Sequence, residues 1–205
     1  MKSQQEKVGY ILGRQVAGDI ARQGLDIDSG SFLSGVKSAF DGEQSLLSDA
    51  DTHAVMDSFK QQMQEQQAES ARVDGAKNIE NGKKYLADNS SKSGVVTTAS
   101  GLQYKILVEG SGSKPEAHSQ VVTHYEGKLI DGTVFDSSYA RGEPASFPVN
   151  GVIRGWQEAL QLMPVGSKWE LCIPADLAYG EAGSPPVIGP HAVLVFAIEL
   201  LEIRA

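Results

Sequence analysis

A chain of 205 residues and 21.9 kDa has room for one large domain or two small ones. Hydrophobic residues at 40% and charged residues at 21% are the composition of a chain that buries a core, which excludes a disordered or fibrous protein. The net charge of -8 is shared by both halves, so neither nucleic acid nor an anionic membrane is expected as a partner.

The single cysteine, Cys172, has no partner for an internal disulfide, and nothing demands an oxidising compartment. The opening MKSQQEKVGYILGRQ lacks the apolar run of a signal peptide, and no segment has the length and apolarity to cross a bilayer. A cytoplasmic protein is the expectation.

Val8, Leu12, Val16 and Ile20 recur every four positions and predict a helix with one apolar face, with Gly24 as its stop. Phe32, Leu33, Val36 and Phe40 mark a second, short helix ending near Asp41-Gly42. Ser48 followed by Asp51 resembles a capping box opening a third. From Asp49 to about Asn89 there is no proline, so this helix is expected to run some forty residues, roughly 60 Å. Its middle, QQMQEQQAESAR, is polar all round, as in a helix that bridges solvent between two packed ends. Three such helices bury little by themselves, and the stripe suggests pairing with a second copy; an ordinary intrachain core is the alternative.

At Asn89–Gly94 the pattern changes to β-branched runs broken by turn residues. Strands are expected at 102–109, 120–130, 146–149, 168–173 and 192–203, with turns at Gly110–Gly112 and Asp131-Gly132. One short helix fits Gly155–Leu162, stopped by Met163-Pro164. The expected class is α+β: an all-helical N-terminal domain with a long connecting helix, then an antiparallel sheet wrapped over a short helix. In residue ranges this reads as a helical dimerisation domain over 1–48, the connecting helix over 49–89, a linker over 90–95 and a catalytic domain over 96–205.

The C-terminal half carries six short motifs in order. They are His124-Tyr125-Glu126-Gly127, Gly132-Thr133-Val134-Phe135-Asp136-Ser137-Ser138, Val152-Ile153-Arg154-Gly155-Trp156, Met163-Pro164-Val165-Gly166, Ala178-Tyr179-Gly180 and Leu194-Val195-Phe196. Order, spacing and residue type resemble the FKBP-type peptidyl-prolyl isomerases over residues 96–203. The whole chain is similar to the two-domain, Mip-like bacterial subgroup, in which a helical domain dimerises and a long helix holds the catalytic domains apart.

The resemblance implies an isomerase that works without cofactor, metal or nucleophile on Xaa-Pro bonds of unfolded or folding proteins, and that binds macrolide inhibitors. It assigns Tyr125, Phe135, Asp136, Ile153, Trp156, Tyr179 and Phe196 to the catalytic pocket, and Arg141, Phe147, Val152 and Ile188 to substrate binding. Trp156 would be the floor. The Ile153 N–H and the Tyr179 hydroxyl would donate to substrate carbonyls, and Asp136 would sit at the rim, either acting on substrate or organising the pocket.

Singly, these residues read more plainly: aromatic side chains in a β-rich domain are core, and Asp136 before two serines caps a turn. Only their joint order carries the assignment. The sequence departs from the family where Ala145 replaces a frequent aromatic and Arg141–Ala145 is short. In the loop 183–190, Ser184 stands for a common histidine and Gly189 for a common proline. His53, His118, His124 and His191 are scattered, with no metal spacing, and Cys172 between Leu171 and Ile173 reads as a buried small hydrophobe. Two rivals stand beside the enzyme: a binding module that keeps the fold without catalysis, and a holdase built on the helical half.

Overall fold

The apolar stripe of the first segment folds as α1 (Gln4–Arg22) in the computed structural model, which describes residues 3–204. Its start is a capping box: the Ser3 hydroxyl accepts the Glu6 N–H and the Glu6 carboxylate accepts the Ser3 N–H. The second helix, α2 (Ser29–Asp41), begins where Asp28 accepts the Ser31 N–H at 2.7 Å and ends at left-handed Gly42. The long helix α3 spans Asp49–Ser90 without interruption. Ser48 accepts the Asp51 N–H there, and its hydroxyl donates to the Asp51 carboxylate at 2.7 Å.

Two compact units divide within α3, after Gln61. In the first, no residue of α1 or α2 is buried. Val8, Leu12 and Val16 stay about half exposed, and Phe40 is 88% exposed, so among the described residues of this unit nothing covers the apolar faces that amphipathic patterning created.

The second unit begins at Gln62 and takes in the rest of α3. Its last turns pack closely: Gly75, Gly82 and Asn89 are buried. Asn89 donates to the Gln103 side chain at 2.9 Å, and Gln103 in turn donates to the Leu86 carbonyl at 2.9 Å, tying the helix end to the sheet.

The sheet is built from β1 (Val95–Thr97), β2 (Gln103–Val108), β3 (Gln120–Leu129), β4 (Val134–Ser137), β5 (Ala145–Pro148), β6 (Lys168–Ile173) and β7 (Leu194–Arg204). Every pairing is antiparallel, in the order β1-β2-β6-β7-β3-β4, with β5 also on β3. Two short helices complete the unit, α4 (Ser138–Arg141) and α5 (Arg154–Leu162). Trp156, Ala159 and Leu160 of α5 lie in one core with Leu171 and Ile173 of β6 and Phe196 and Ile198 of β7. Five strands and the short helix lie within two residues of their expected bounds. β1, β4 and α4 were not expected, because three or four residues are too short to show a period.

One detail of register positions the site. On its outer edge β3 pairs β5 from Gln120 to Thr123 and β4 from Glu126 to Lys128. Between the two partners, His124 and Tyr125 face no strand. The buried Ser138 hydroxyl of α4 fills that gap, accepting the Tyr125 N–H at 2.8 Å and donating to the Tyr125 carbonyl at 3.2 Å. A side chain thus replaces a missing ladder rung on this edge, while the other edge stays paired with β7 at Glu199 and Ile198.

Candidate active site

Five aromatic rings from four strands and α5 meet edge to face. Trp156, at the start of α5, is the hub, with ring centroids 5.2 Å from Tyr125, 5.7 Å from Phe147 and 5.3 Å from Phe196. Tyr125 also meets Phe147 at 5.7 Å, and Phe196 meets Phe135 at 5.5 Å. Near-perpendicular rings place positive edges on negative faces, worth about 0.5–1.5 kcal/mol per pair beyond area burial. Tyr125, Trp156 and Phe196 are buried, while Phe135 and Phe147 are half-buried and carry the cluster to the surface.

Gly127 makes this packing possible. A Cβ at that position would lie 2.6 Å from both the Phe135 and the Phe196 rings, so only glycine lets the two walls close over β3. Val152 and Ile153 pack half-buried against the same cluster, and Ile188 is buried in it. The Ile153 N–H donates to no group among the described residues, and the Trp156 indole N–H is buried without a partner. Tyr179 is 41% exposed; among the described residues its hydroxyl has no hydrogen-bond partner and its ring stacks on none of the five.

At the edge, three polar groups close a triangle. The Tyr125 hydroxyl donates to Asp136 Oδ2 at 2.5 Å, Arg141 donates to Asp136 Oδ1, and Arg141 Nη2 donates to the Tyr125 hydroxyl at 2.8 Å. The guanidinium also lies over the Tyr125 ring, 5.5 Å from its centroid. Partial burial pushes the Asp136 carboxyl up, but the bonds from Tyr125 and Arg141 outweigh it and hold the group below its usual range. Burial and the Asp136 bond push the Tyr125 phenol up, so both stay in their neutral-pH forms, carboxylate and phenol.

The residues expected at the site thus fall into three sets. Tyr125, Phe135, Phe147, Val152, Ile153, Trp156, Ile188 and Phe196 share one apolar cluster. Asp136 and Arg141 flank it, bonded to Tyr125 and to each other. Tyr179 stands apart from the rings, next to Ala178, which packs on the cluster. Two participants had no role from sequence: Gly127 and Ser138 were visible only as letters of motifs, because their work depends on what lies across from them.

The His124 imidazole meets the Ser138 hydroxyl at 3.0 Å, but that hydroxyl is fully buried and already engaged by the Tyr125 backbone. Among the described residues no three His, Cys, Asp or Glu side chains gather as a metal site. What the geometry offers is an apolar floor and walls, with the Ile153 N–H beside them unused among the described residues.

The pattern of the FKBP-type peptidyl-prolyl cis-trans isomerases matches residues 111–201, and that of the domain amino-terminal to it matches residues 5–106. The peptidyl-prolyl cis-trans isomerase Mip of Coxiella burnetii is 39% identical over 204 residues, covering 100% of this chain and 89% of its own. The FKBP-type 22 kDa peptidyl-prolyl cis-trans isomerase of Escherichia coli is 44% identical over 198 residues, covering 96% and 94%. The crystal structure of FkpA from Escherichia coli superposes with a TM-score of 0.73 at 37% identity, covering 100% of this chain and 98% of that one. With both halves matched and the edge-to-face cluster in place, the chain belongs to the FKBP-type peptidyl-prolyl cis-trans isomerases.

Proposed function

We propose that this peptidyl-prolyl cis-trans isomerase turns Xaa-Pro bonds of folding proteins in the cluster around Trp156, by desolvation and hydrogen bonding. The barrier to peptide rotation is roughly 18–20 kcal/mol because resonance resists twisting. The twisted amide has lost conjugation and is less dipolar than the planar one, so moving it from water into an apolar pocket costs less than moving the ground state. Trp156 carries the proline ring, with Tyr125, Phe135, Val152 and Phe196 as walls. The unpaired Ile153 N–H and Tyr179 hydroxyl receive the flanking carbonyls.

Asp136 acts as organiser of the pocket. Both its oxygens are already engaged, one by Tyr125 and one by Arg141, and this is what supports the reading. The observation that carries the whole proposal is the edge-to-face set around a buried Trp156, beside an Ile153 N–H that no described residue uses.

A short Xaa-Pro peptide, followed with and without a macrolide inhibitor, tests it. Rapid exchange that the macrolide abolishes supports the pocket. Exchange that resists it leaves the enzyme but moves suspicion to the 183–190 loop, and no exchange on any peptide overturns the reading in favour of a binding module.

The helical unit is proposed to join two copies. Leu12, Val16, Phe32, Leu33, Val36 and Phe40 border an open groove of about 620 Å³ that no described residue of this unit fills. Leu46, outside the groove and 94% exposed, leaves further apolar surface for an unfolded client, which supports a holdase role beside the isomerase. Cytoplasmic residence is proposed as well: the lone Cys172 is buried and unpaired and makes no use of an oxidising compartment. Cell fractionation decides it.

A further inference from the structure

The second unit holds an unusually close contact between α3 and the segment 188–193, and the isomerase chemistry leaves it unused. Asn78 Nδ2 donates to the Pro190 carbonyl at 2.8 Å in a partly buried position. Glycines allow the approach from both sides. A Cβ on Gly82 would meet Val193 Cγ2 at 2.8 Å, and a Cβ on Gly75 would meet His191 Cδ2 at 3.3 Å. On the loop side, a Cβ on Gly189 would lie 3.1 Å from Asn78 Nδ2, tighter than an ordinary contact.

The loop so held has an internal frame of its own. Ser184 and Ile188 exchange N–H to carbonyl bonds of 2.7 and 3.0 Å, and the His191 N–H donates to the Gly180 carbonyl at 2.8 Å. His191 takes a left-handed φ of 55°, a conformation that a non-glycine residue keeps only where its surroundings enforce it. The frame presents Ile188 to the cluster of Trp156 and Phe196, and Gly180 follows Tyr179 in the chain.

We propose that Asn78 is a positioning residue of the isomerase: by holding the Pro190 carbonyl it sets where Ile188 and Tyr179 stand, and through them which residue before proline the pocket prefers. Helix α3 is then part of the catalytic unit's specificity apparatus as well as a connector. The inference rests on the assignment of Ile188 to substrate binding and of the Tyr179 hydroxyl to a substrate carbonyl given above.

The test uses the full chain and a series of tetrapeptides that differ only in the residue before proline. Asn78→Ala lowers kcat/KM for the preferred peptides about three- to tenfold, the loss of one net hydrogen bond, and narrows the spread across the series. Amide hydrogen exchange at Ser184, Ile188 and His191 quickens in the same variant. Gly82→Ala produces the same narrowing, and adding Val193→Ala restores it by removing the clash, a rescue that general destabilisation would not give. If Asn78→Ala keeps kcat/KM within twofold and the spread intact, the inference is wrong, and faster exchange with unchanged kinetics refutes it equally. Phe135→Ala, run alongside, keeps the two readings apart. If it retains full activity the aromatic pocket itself fails as the site; if it loses activity while Asn78→Ala does not, only the role of Asn78 falls.

Discussion

The Tyr125 hydroxyl donates to Asp136 at 2.5 Å while its backbone N–H, at the other end of the residue, donates to the hydroxyl of Ser138 at 2.8 Å. Asp136 and Ser138 lie two residues apart, so one short stretch of chain clamps Tyr125 at both ends. The aromatic wall and the polar triangle are therefore one mechanical unit, and changes at either end should be felt at the other.

Asp136→Asn removes the charge from the triangle and keeps its shape. Because the folded carboxyl lies below its usual range, the stability it contributes is complete above the unfolded value near 3.8 and is lost only as pH falls through the lower, folded value. Wild-type urea midpoints should thus decline below about pH 4 more steeply than those of the variant. With 41% of the Asp136 side chain exposed, solvent screens the pair, and kcat/KM at neutral pH is expected to drop about three- to tenfold, short of abolition. Loss of all activity would show that Asp136 touches the reacting amide.

Ser138→Ala leaves the buried Tyr125 N–H without its acceptor. The expected cost is about 1–3 kcal/mol in chemical denaturation. Ser138→Thr keeps the hydroxyl and separates loss of the bond from change in volume; if alanine and wild type unfold at the same denaturant concentration, the clamp contributes nothing.

Gly127→Ala forces a methyl group against two rings. Overpacking of this kind costs about 1–3 kcal/mol, and peptide turnover should fall further than stability does, because Phe135 and Phe196 must part. Parallel measurement of melting temperature and kcat/KM checks this. The second variant Phe135→Leu shrinks one wall, and combined with Gly127→Ala it should recover part of the melting temperature.

Cys172 is expected to be silent towards thiol reagents in the native protein and to react once on unfolding. Burial pushes its thiol up to about 11, helped by the charge of Glu170. Since the folded value lies above the unfolded one, stability from the neutral thiol is complete below about pH 9 and fades as pH rises towards 11. Cys172→Ala should flatten that alkaline decline.

Leu12→Glu with Leu33→Glu places charge in the groove of the helical unit. Light scattering should report the mass of one chain, 21.9 kDa, in place of two, while turnover of a short peptide stays within twofold. A wild-type protein that already scatters as one chain would remove the dimer.

Much of this protein was legible before any coordinate. Helical stripes, a forty-residue run free of proline, and alternating β-branched segments are local signals, and they located α1 to α3, five strands and α5, because period and breaker residues act over neighbouring positions. The joint order of Tyr125, Phe135, Trp156 and Phe196 reached as far as the family. What only the tertiary structure decided lies between residues distant in sequence. The gap in β3 that Ser138 fills depends on where two other strands stop, and the need for glycine at 127 depends on rings that approach from β4 and β7. The seat of Asn78 on Pro190 spans 112 positions of chain. Such contacts leave no period in the sequence, since each is set by how separate elements come to rest against one another.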